Sequence, residues 1–428
     1  MDSVRVYVPL FILLALLACP AEKALIQEVA AKNEAASEGA PLPTSKEDWP
    51  WWRGPNSDNT SAGGQVPTVW SETENVLWKV NVPGHGHGSP TLLGNQIFLA
   101  TADEETEVQL LISYERESGK KLWEKEIHRG QLEQRHKKNS HASSTPASDG
   151  EKVFVAFLNN DAIWVTAVNL QGEIVWQQNA GAFDSEHGYA ASPVLYKSLV
   201  IVSGDNPGGG YMTAMDRQTG NIVWHTRRPA SPSYGTPVLA HVAGRAQLLH
   251  SGCKMTSSYD PATGELLWSL EGPAQLMANT MAFGGNFVFS SGGYPEKELL
   301  CIRADGSGDI VWRTGRDVTY VPSPLFHQGR LYVVNDGGIA TLFNAHSGDV
   351  IWRERLGGAF SASPTLVGDL LYVPDEEGTT FVLKASDHFE VVARNKLGDG
   401  GFASPVICGG RLYLRTLHHL YAIGNHAS

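Results

Sequence analysis

Six times in this chain a glycine is followed four residues later by a tryptophan. The pairs are Gly119/Trp123, Gly172/Trp176, Gly220/Trp224, Gly264/Trp268, Gly308/Trp312 and Gly348/Trp352. Successive pairs lie 53, 48, 44, 44 and 40 residues apart. This period is typical of one four-stranded propeller blade and longer than that of most helical repeats. The repeat therefore predicts an all-β chain that forms a β-propeller.

A second repeat counts the blades. A Ser/Thr-Pro step recurs before a strand pattern at Ser89, Thr145, Ser192, Thr236, Ser323, Ser363 and Ser404, and Thr280-Met281 stands in the remaining slot. Proline at the first residue of a strand costs no hydrogen bond of the ladder. Eight steps predict eight blades of four antiparallel strands. The last unit, residues 402–424, lacks a tryptophan strand, so we expect residues 75–82 to complete it and to close the ring.

The repeated tryptophans have a predicted structural role. We expect each to lie between neighbouring blades with its indole N–H bonded to a backbone carbonyl, and each glycine to lie in the turn before the fourth strand. The docking set is Trp78, Trp123, Trp176, Trp224, Trp268, Trp312 and Trp352. The seventh unit has Ala393 at this position, which predicts a weaker contact there.

The N-terminal region predicts export. Residues 1–19 have the apolar run of a signal peptide, which is too short to span a membrane. The segment ending at Cys19 also fits a lipoprotein signal, so acylation of Cys19 and simple cleavage near Ala21 are both open. Residues 20–47 predict a flexible tether, and residues 48–424 a single propeller. Trp49, Trp51 and Trp52 begin the propeller and are expected to plug or clasp its surface, with a ligand-stacking cluster as the alternative.

Charge and cysteine content narrow the function classes. The chain has 33 Lys and Arg against 45 Asp and Glu, a net charge of −12, which disfavours a nucleic-acid partner. The one basic run, residues 135–141, is interpreted as a solvated loop, with a phosphate or anionic-lipid contact as the alternative. Cys253, Cys301 and Cys408 lie in different units and predict buried small side chains rather than a disulfide framework. We expect a monomer whose only membrane contact would be a lipid on Cys19.

The docking motif carries a family resemblance. The segment from Ala214 through Asp216, Thr219 and Gly220 to Trp224 matches the Ala-x-Asp-x-x-Thr-Gly-x-x-x-Trp repeat of quinoprotein-type propellers. Residues 49–424 resemble the exported PQQ-binding-like repeat proteins of bacteria and, more distantly, the outer-membrane assembly lipoprotein BamB.

This resemblance implies two functions. Its dehydrogenases hold pyrroloquinoline quinone (PQQ) and calcium in the channel, with the quinone against a disulfide between adjacent cysteines. No two cysteines of this chain are adjacent, and no CxxCH haem motif is present. The interpretation we favour is therefore a non-catalytic scaffold without a cofactor, which binds a protein, peptide or glycan at the bacterial cell envelope. A PQQ- or metal-dependent oxidoreductase that uses the same channel is the alternative.

Candidate binding residues lie just before the first strands of the units. They comprise four histidines and five aromatic residues: His85, His87, His141, His187, Tyr189, Tyr234, Tyr320, Phe360 and Phe402. Converging loops would bring them to one mouth of the channel. Imidazoles there can bind a transition metal, and an aromatic rim suits a peptide, glycan or partner loop. Packing between blade ends is the other interpretation.

Overall fold

The computed structural model describes residues 38–43, 45–184 and 187–425. Within these residues the chain forms eight sheets, each with four antiparallel strands, which confirms the predicted eight-bladed, all-β propeller. The described part of the chain contains no helix long and apolar enough to cross a membrane. The predicted signal peptide, most of the predicted tether and Cys19 lie outside the described residues.

Two strands precede the first blade, and blades one to four follow in chain order. The preceding strands are β1 (Thr60–Ser61) and β2 (Val76–Asn81). Blade one comprises β3 (Thr91–Leu93), β4 (Gln96–Asp103), β5 (Val108–Glu115) and β6 (Lys121–Arg129). Blade two comprises β7 (Ala147–Ser148), β8 (Lys152–Asn159), β9 (Ala162–Asn169) and β10 (Ile174–Ala182). Blade three comprises β11 (Val194–Tyr196), β12 (Leu199–Ser203), β13 (Gly210–Asp216) and β14 (Ile222–Arg228). Blade four comprises β15 (Val238–Val242), β16 (Arg245–Gly252), β17 (Met255–Tyr259) and β18 (Leu266–Glu271).

The remaining strands form blades five to eight. Blade five comprises β19 (Ala282–Gly284), β20 (Phe287–Gly292), β21 (Glu298–Arg303) and β22 (Ile310–Thr314). Blade six comprises β23 (Leu325–His327), β24 (Arg330–Val334), β25 (Ile339–Asn344) and β26 (Val350–Arg355). Blade seven comprises β27 (Thr365–Val367), β28 (Leu370–Pro374), β29 (Thr379–Lys384) and β30 (Val391–Lys396). Blade eight comprises β31 (Val406–Cys408), β32 (Arg411–Arg415), β33 (His419–Ile423) and β2.

The burial of each strand follows from its place in the blade. Middle strands such as β12 are buried at every position, because neighbouring blades cover both of their faces. Outer strands such as β6 alternate between exposed and half-buried residues over most of their length. The ring closes as predicted, since β2 pairs antiparallel with β33 and places Trp78 opposite Ala422. Blade seven gains a fifth strand, because β1 pairs in parallel with β27.

The tryptophans link neighbouring blades at the outer rim. Six indole N–H groups donate to a backbone carbonyl of the next blade. The acceptors are Arg116 for Trp78 (3.1 Å), Leu170 for Trp123 (2.9 Å), Arg217 for Trp176 (3.1 Å), Pro261 for Trp224 (3.3 Å), Ala345 for Trp312 (3.0 Å) and Ser386 for Trp352 (3.0 Å). Trp268 differs, because it donates to the Gln247 side chain within its own blade at 2.8 Å.

The repeated glycines accommodate these tryptophans. Gly220 has a φ of +76°, and a Cβ there would lie 2.8 Å from the Trp176 ring. The position therefore requires both the left-handed conformation and the absence of a side chain. At the seventh unit the joint contains a different tryptophan. Trp70, from the segment before β2, is buried in the same cluster as Ala393 and stacks on Tyr372 with ring centroids 6.1 Å apart.

Candidate functional site

A segment N-terminal to the blades crosses the channel. We call residues 48–61 the plug. Its first tryptophan, Trp49, exchanges two backbone hydrogen bonds of 2.9 Å with Leu92 of blade one. Its last residues form β1 on blade seven. The three tryptophans thus lie near the start of a segment that contacts blade one at its beginning and blade seven at its end. Described residues of the tether lead into it, where Leu42 packs against a cluster of blades two and three.

A buried arginine fixes the middle of the plug. Arg53 is 1% exposed, and its guanidinium donates to the carbonyls of Thr280 (3.3 Å), Met281 (3.2 Å) and Pro324 (2.9 Å). Burial lowers the pKa of Arg53 to about 10, with a smaller opposing effect of Asp58. Within the described residues Arg53 forms no ion pair, so a buried positive charge lies in the channel without a bonded carboxylate.

Trp52 divides the channel in two. Its indole N–H donates to the Thr280 hydroxyl at 2.9 Å. The Trp52 side chain lines a cavity of about 400 Å³ at the mouth and also a cavity of about 450 Å³ on the other side of the plug. The mouth is therefore a pocket with a floor rather than an open pore.

The Ser/Thr-Pro steps form a ring of hydrogen bonds around this pocket. In six joints the backbone N–H of one step donates to the hydroxyl of the next blade's step at 2.8–3.0 Å. These bonds join Ser89 to Thr145, Thr145 to Ser192, Ser192 to Thr236, Thr280 to Ser323, Ser323 to Ser363 and Ser363 to Ser404. We call the seven side chains that line the pocket the hydroxyl crown: Thr145, Ser192, Thr236, Thr280, Ser323, Ser363 and Ser404. The sequence repeat marked these residues, but only as starts of strands.

Five of the nine predicted binding residues line the mouth pocket. They are His87, His187, Tyr234, Tyr320 and Phe402. The His87 ring stacks on Phe402 with centroids 4.3 Å apart, and the His187 ring lies 5.8 Å from that of Tyr234. Loops from different blades thus converge on one aromatic wall.

The other four predicted residues do not line this pocket. His85 is bridged to Ala102 by two backbone hydrogen bonds, and His141 points toward Glu104, with 4.0 Å between its Nε2 and the carboxylate. Tyr189 and Phe360 are 7% and 1% exposed and belong to the hydrophobic clusters between blades. These residues have the predicted place in the sequence repeat, but they do not line the pocket.

Sequence reasoning missed a loop that reaches across the mouth. Residues 130–141, which we call the strap, connect blades one and two, yet Lys138 of the strap pairs with Glu376 of blade seven at 2.8 Å. The strap is also fixed by Arg135, which binds Glu104 through two nitrogens. Two of the three Lys and Arg side chains of the basic run, Arg135 and Lys138, are therefore engaged in ion pairs. That run was the sequence signal for this loop, although its partners lie far away in the chain.

The strap adds further groups to the pocket. His136, Lys138 and Asn139 line it, and the His136 and His187 rings are 5.6 Å apart. Asp336 lines the opposite side and accepts the backbone N–H groups of Tyr320 (2.8 Å) and Val321 (3.1 Å).

Burial sets the protonation of two pocket groups. It lowers the pKa of His87 to about 3, and the positive charge of Arg415 acts in the same direction. Burial also raises the pKa of Asp336, which its two backbone hydrogen bonds oppose. His87 is therefore a neutral, stacking imidazole at neutral pH.

The carboxylates at the mouth do not fit a calcium site. Calcium takes about six to eight oxygen ligands. Asp336 is occupied by backbone N–H groups, and Glu376 is bonded to Lys138 and Ser361. In the described chain no cluster of three or more His, Cys, Asp or Glu is arranged to hold a metal ion. The three described cysteines are free and buried in separate blades.

Solved structures share this fold. BamB from Moraxella catarrhalis superposes with a TM-score of 0.58 at 13% identity, covering 82% of this chain and 99% of that one. A europium-containing methanol dehydrogenase gives a TM-score of 0.64 at 11% identity, covering 93% and 100%. The quinohemoprotein alcohol dehydrogenase from Comamonas testosteroni gives a TM-score of 0.63 at 12% identity, covering 94% of this chain and 85% of that one. At these identities the likeness concerns the fold alone, which both an assembly factor and dehydrogenases use.

Sequence comparison is more specific. No protein of curated function matches this chain. A family profile does match, in overlapping segments at residues 58–242, 109–279, 254–387 and 336–424. These segments cover nearly the whole propeller, and the profile is that of outer membrane protein assembly factor BamB. The chain therefore belongs to the BamB family of β-propellers.

Proposed function

We propose that this protein is an exported, non-catalytic scaffold that binds a protein partner of the bacterial cell envelope in the mouth of its channel. The observation that carries the proposal is the floored pocket of about 400 Å³, whose wall combines aromatic and imidazole rings from several blade loops. Aromatic side chains supply large contact areas at a low cost in conformational entropy. A concave site of this kind suits an inserted segment of a partner.

Membership of a family described as an outer-membrane assembly factor supports the envelope location and a protein partner. Export itself rests on the sequence of residues 1–19. Fractionation of cells that express the full chain tests it, and a Cys19→Ser variant separates the two anchoring alternatives. Loss of membrane association in this variant supports acylation, and unchanged distribution supports simple cleavage near Ala21.

Photo-crosslinking from the mouth tests the binding proposal. A photoreactive phenylalanine analogue replaces Tyr320, which lines the pocket, and in a matched control it replaces Val350, which is 50% exposed on the outer rim. We expect discrete cross-linked proteins from position 320 and not from position 350 when both variants are expressed in the native cell. Identical products from both positions, or none from position 320, would contradict a binding role for the mouth.

An oxidoreductase remains the second candidate, since two dehydrogenases share the fold. Calorimetric titration of the metal-stripped protein with PQQ and calcium decides it. Saturable binding near one equivalent would favour the oxidoreductase, and dye-linked dehydrogenase assays would follow. We expect no such binding, because the two mouth carboxylates already have partners.

A further inference from the structure

We propose that the hydroxyl crown binds a carboxylate group carried by the partner polypeptide. This inference rests on the proposed function and names the chemistry that the floor of the mouth recognises. A carboxylate at the tip of an inserted segment, from an acidic side chain or from a C-terminus, would lie among the crown hydroxyls above Trp52.

The hydrogen bonds of the crown leave its protons available. Each of the seven hydroxyl oxygens accepts one N–H, six from the backbone and one from Trp52. Among the described residues, none of these hydroxyls donates to a protein acceptor. A hydroxyl has one proton to donate, and buried polar groups are nearly always paired. The pocket floor therefore presents a ring of donors that requires acceptors from outside the chain.

An ionised carboxylate complements such a ring. It has no proton and can accept about four hydrogen bonds through its two oxygens. Hydrogen bonds to a charged acceptor are stronger than those between neutral groups. A sugar hydroxyl accepts fewer hydrogen bonds than a carboxylate and carries a proton of its own, so it would pair with fewer of the crown hydroxyls.

Two buried arginines near the crown also favour a negatively charged ligand. Arg53 lies beneath Thr280, as described above. Arg415 of blade eight is 3% exposed, and its guanidinium donates to the carbonyls of Gly88 (3.4 Å) and Ala100. Its Nε and one terminal nitrogen have no partner within the described residues, and burial lowers the pKa of Arg415 to about 9.

The acidic groups of the mouth offset these cations only in part. Glu376 is paired with Lys138. Asp336 lies on the wall, fixed by two backbone N–H groups. Neither carboxylate is bonded to Arg53 or Arg415, whose guanidinium groups donate to backbone carbonyls. Two positive charges are thus buried near the floor of the mouth in a chain whose net charge is −12.

The experiment compares acids with their neutral isosteres on the full chain. N-acetylphenylalanine presents a C-terminal carboxylate, and N-acetylphenylalaninamide replaces it by an amide of the same shape. N-acetylglutamic acid amide and N-acetylglutamine amide form the corresponding pair for a side-chain carboxylate. Calorimetry measures the affinity of each probe at pH 7. We expect at least one acid to bind about tenfold more tightly than its amide, because only the acid can use the donor ring without supplying a proton of its own.

A matched pair of variants assigns the difference to the crown. Thr236→Val removes a hydroxyl at nearly constant volume, whereas Thr236→Ser retains it. We expect Val to reduce the acid preference about threefold and Ser to leave it unchanged. Thermal denaturation confirms that both variants fold, and Thr145→Val with Thr145→Ser is the replacement pair if the first does not.

The outcomes separate this inference from the function on which it rests. Equal binding of acid and amide, or no binding of either acid, overturns the carboxylate site. Cross-links from position 320 would then still support a partner at the mouth. Conversely, an acid preference without any cross-linked partner would retain the carboxylate site and remove the scaffold function.

Discussion

Two rings of side chains join neighbouring blades, one at the outer rim and one around the channel, and they differ in what they leave unpaired. At the rim, a tryptophan has a single N–H, and in six joints a carbonyl of the next blade accepts it. At the channel, a hydroxyl accepts one N–H and keeps its own proton. In the outer joints the indole N–H is already hydrogen-bonded, whereas in the inner joints the hydroxyl proton is left to bond to an acceptor of a ligand.

This difference separates stability from recognition. The outer ring packs large, buried or half-buried tryptophan side chains between blades, and none of them lines the mouth pocket. The inner ring buries little apolar area, but it lines a pocket of about 400 Å³. Substitutions at the rim should therefore act mainly on the free energy of unfolding, and substitutions at the channel mainly on binding.

The largest expected effect comes from truncating a rim tryptophan. Trp224 is 4% exposed and packs against the turn that contains Gly264. We expect Trp224→Ala to lower the free energy of unfolding by about 3–5 kcal/mol, because it removes the ring and leaves a cavity. The matched variant Trp224→Phe retains much of the packing and should cost about 1–3 kcal/mol. Guanidinium denaturation measures both, and a loss below about 1 kcal/mol for the alanine variant would contradict a docking role.

The rim was predictable because its signal is local. Each glycine and tryptophan belong to one strand and its turn, and the pair recurs in six of the eight blades, so spacing alone predicted the propeller and its closure by residues 75–82. Trp70 was not predictable in this way. It packs near Ala393 although about 320 residues separate them, and no repeat relates the two positions.

At the inner ring we expect a smaller loss of stability. The Thr236 hydroxyl accepts the N–H of Ser192 at 2.9 Å, so Thr236→Val leaves a buried donor without its partner. This should lower the free energy of unfolding by about 1–3 kcal/mol, whereas Thr236→Ser should change it by less than about 1 kcal/mol. The same denaturation experiment applies. A loss for Val as large as that for Trp224→Ala would remove the distinction between the two rings.

The mouth was only partly predictable for a physical reason. The repeat identified which residues precede each first strand, but not which way their side chains point. His87 faces the pocket, whereas His85, two residues earlier, lies outside it. The sequence predicted that Trp49, Trp51 and Trp52 plug the propeller surface, but it could not predict which residues the plug and the strap contact. Trp52 meets Thr280 and Lys138 meets Glu376 across more than 200 residues of chain.

The buried imidazole of the mouth predicts a dependence on pH. The pKa of His87 is about 3 in the folded protein, against about 6.5 when unfolded. Since the unfolded chain binds a proton first, this contribution to stability is present above pH 6.5 and falls as the pH decreases toward 3. Between pH 7.5 and 5.5 the parent protein should lose about 1.4 kcal/mol more than a His87→Gln variant. Parallel losses in both proteins would show that His87 is not the group responsible.

The smallest effect on stability, and the sharpest contrast with the rim, is expected at the strap. Lys138 is 48% exposed in its ion pair with Glu376, so Lys138→Ala should cost less than about 1 kcal/mol. Because this pair spans the mouth, however, its loss should free the strap, and hydrogen exchange should become faster at the amides of His136 and Asn139, which are bonded to His187 and His136. The control is the exchanged pair Lys138→Glu with Glu376→Lys, which should restore slow exchange. If hydrogen exchange is unchanged in Lys138→Ala, then Arg135 and the backbone hydrogen bonds hold the strap instead. The contrast between a mobile mouth and a rigid rim would then be lost.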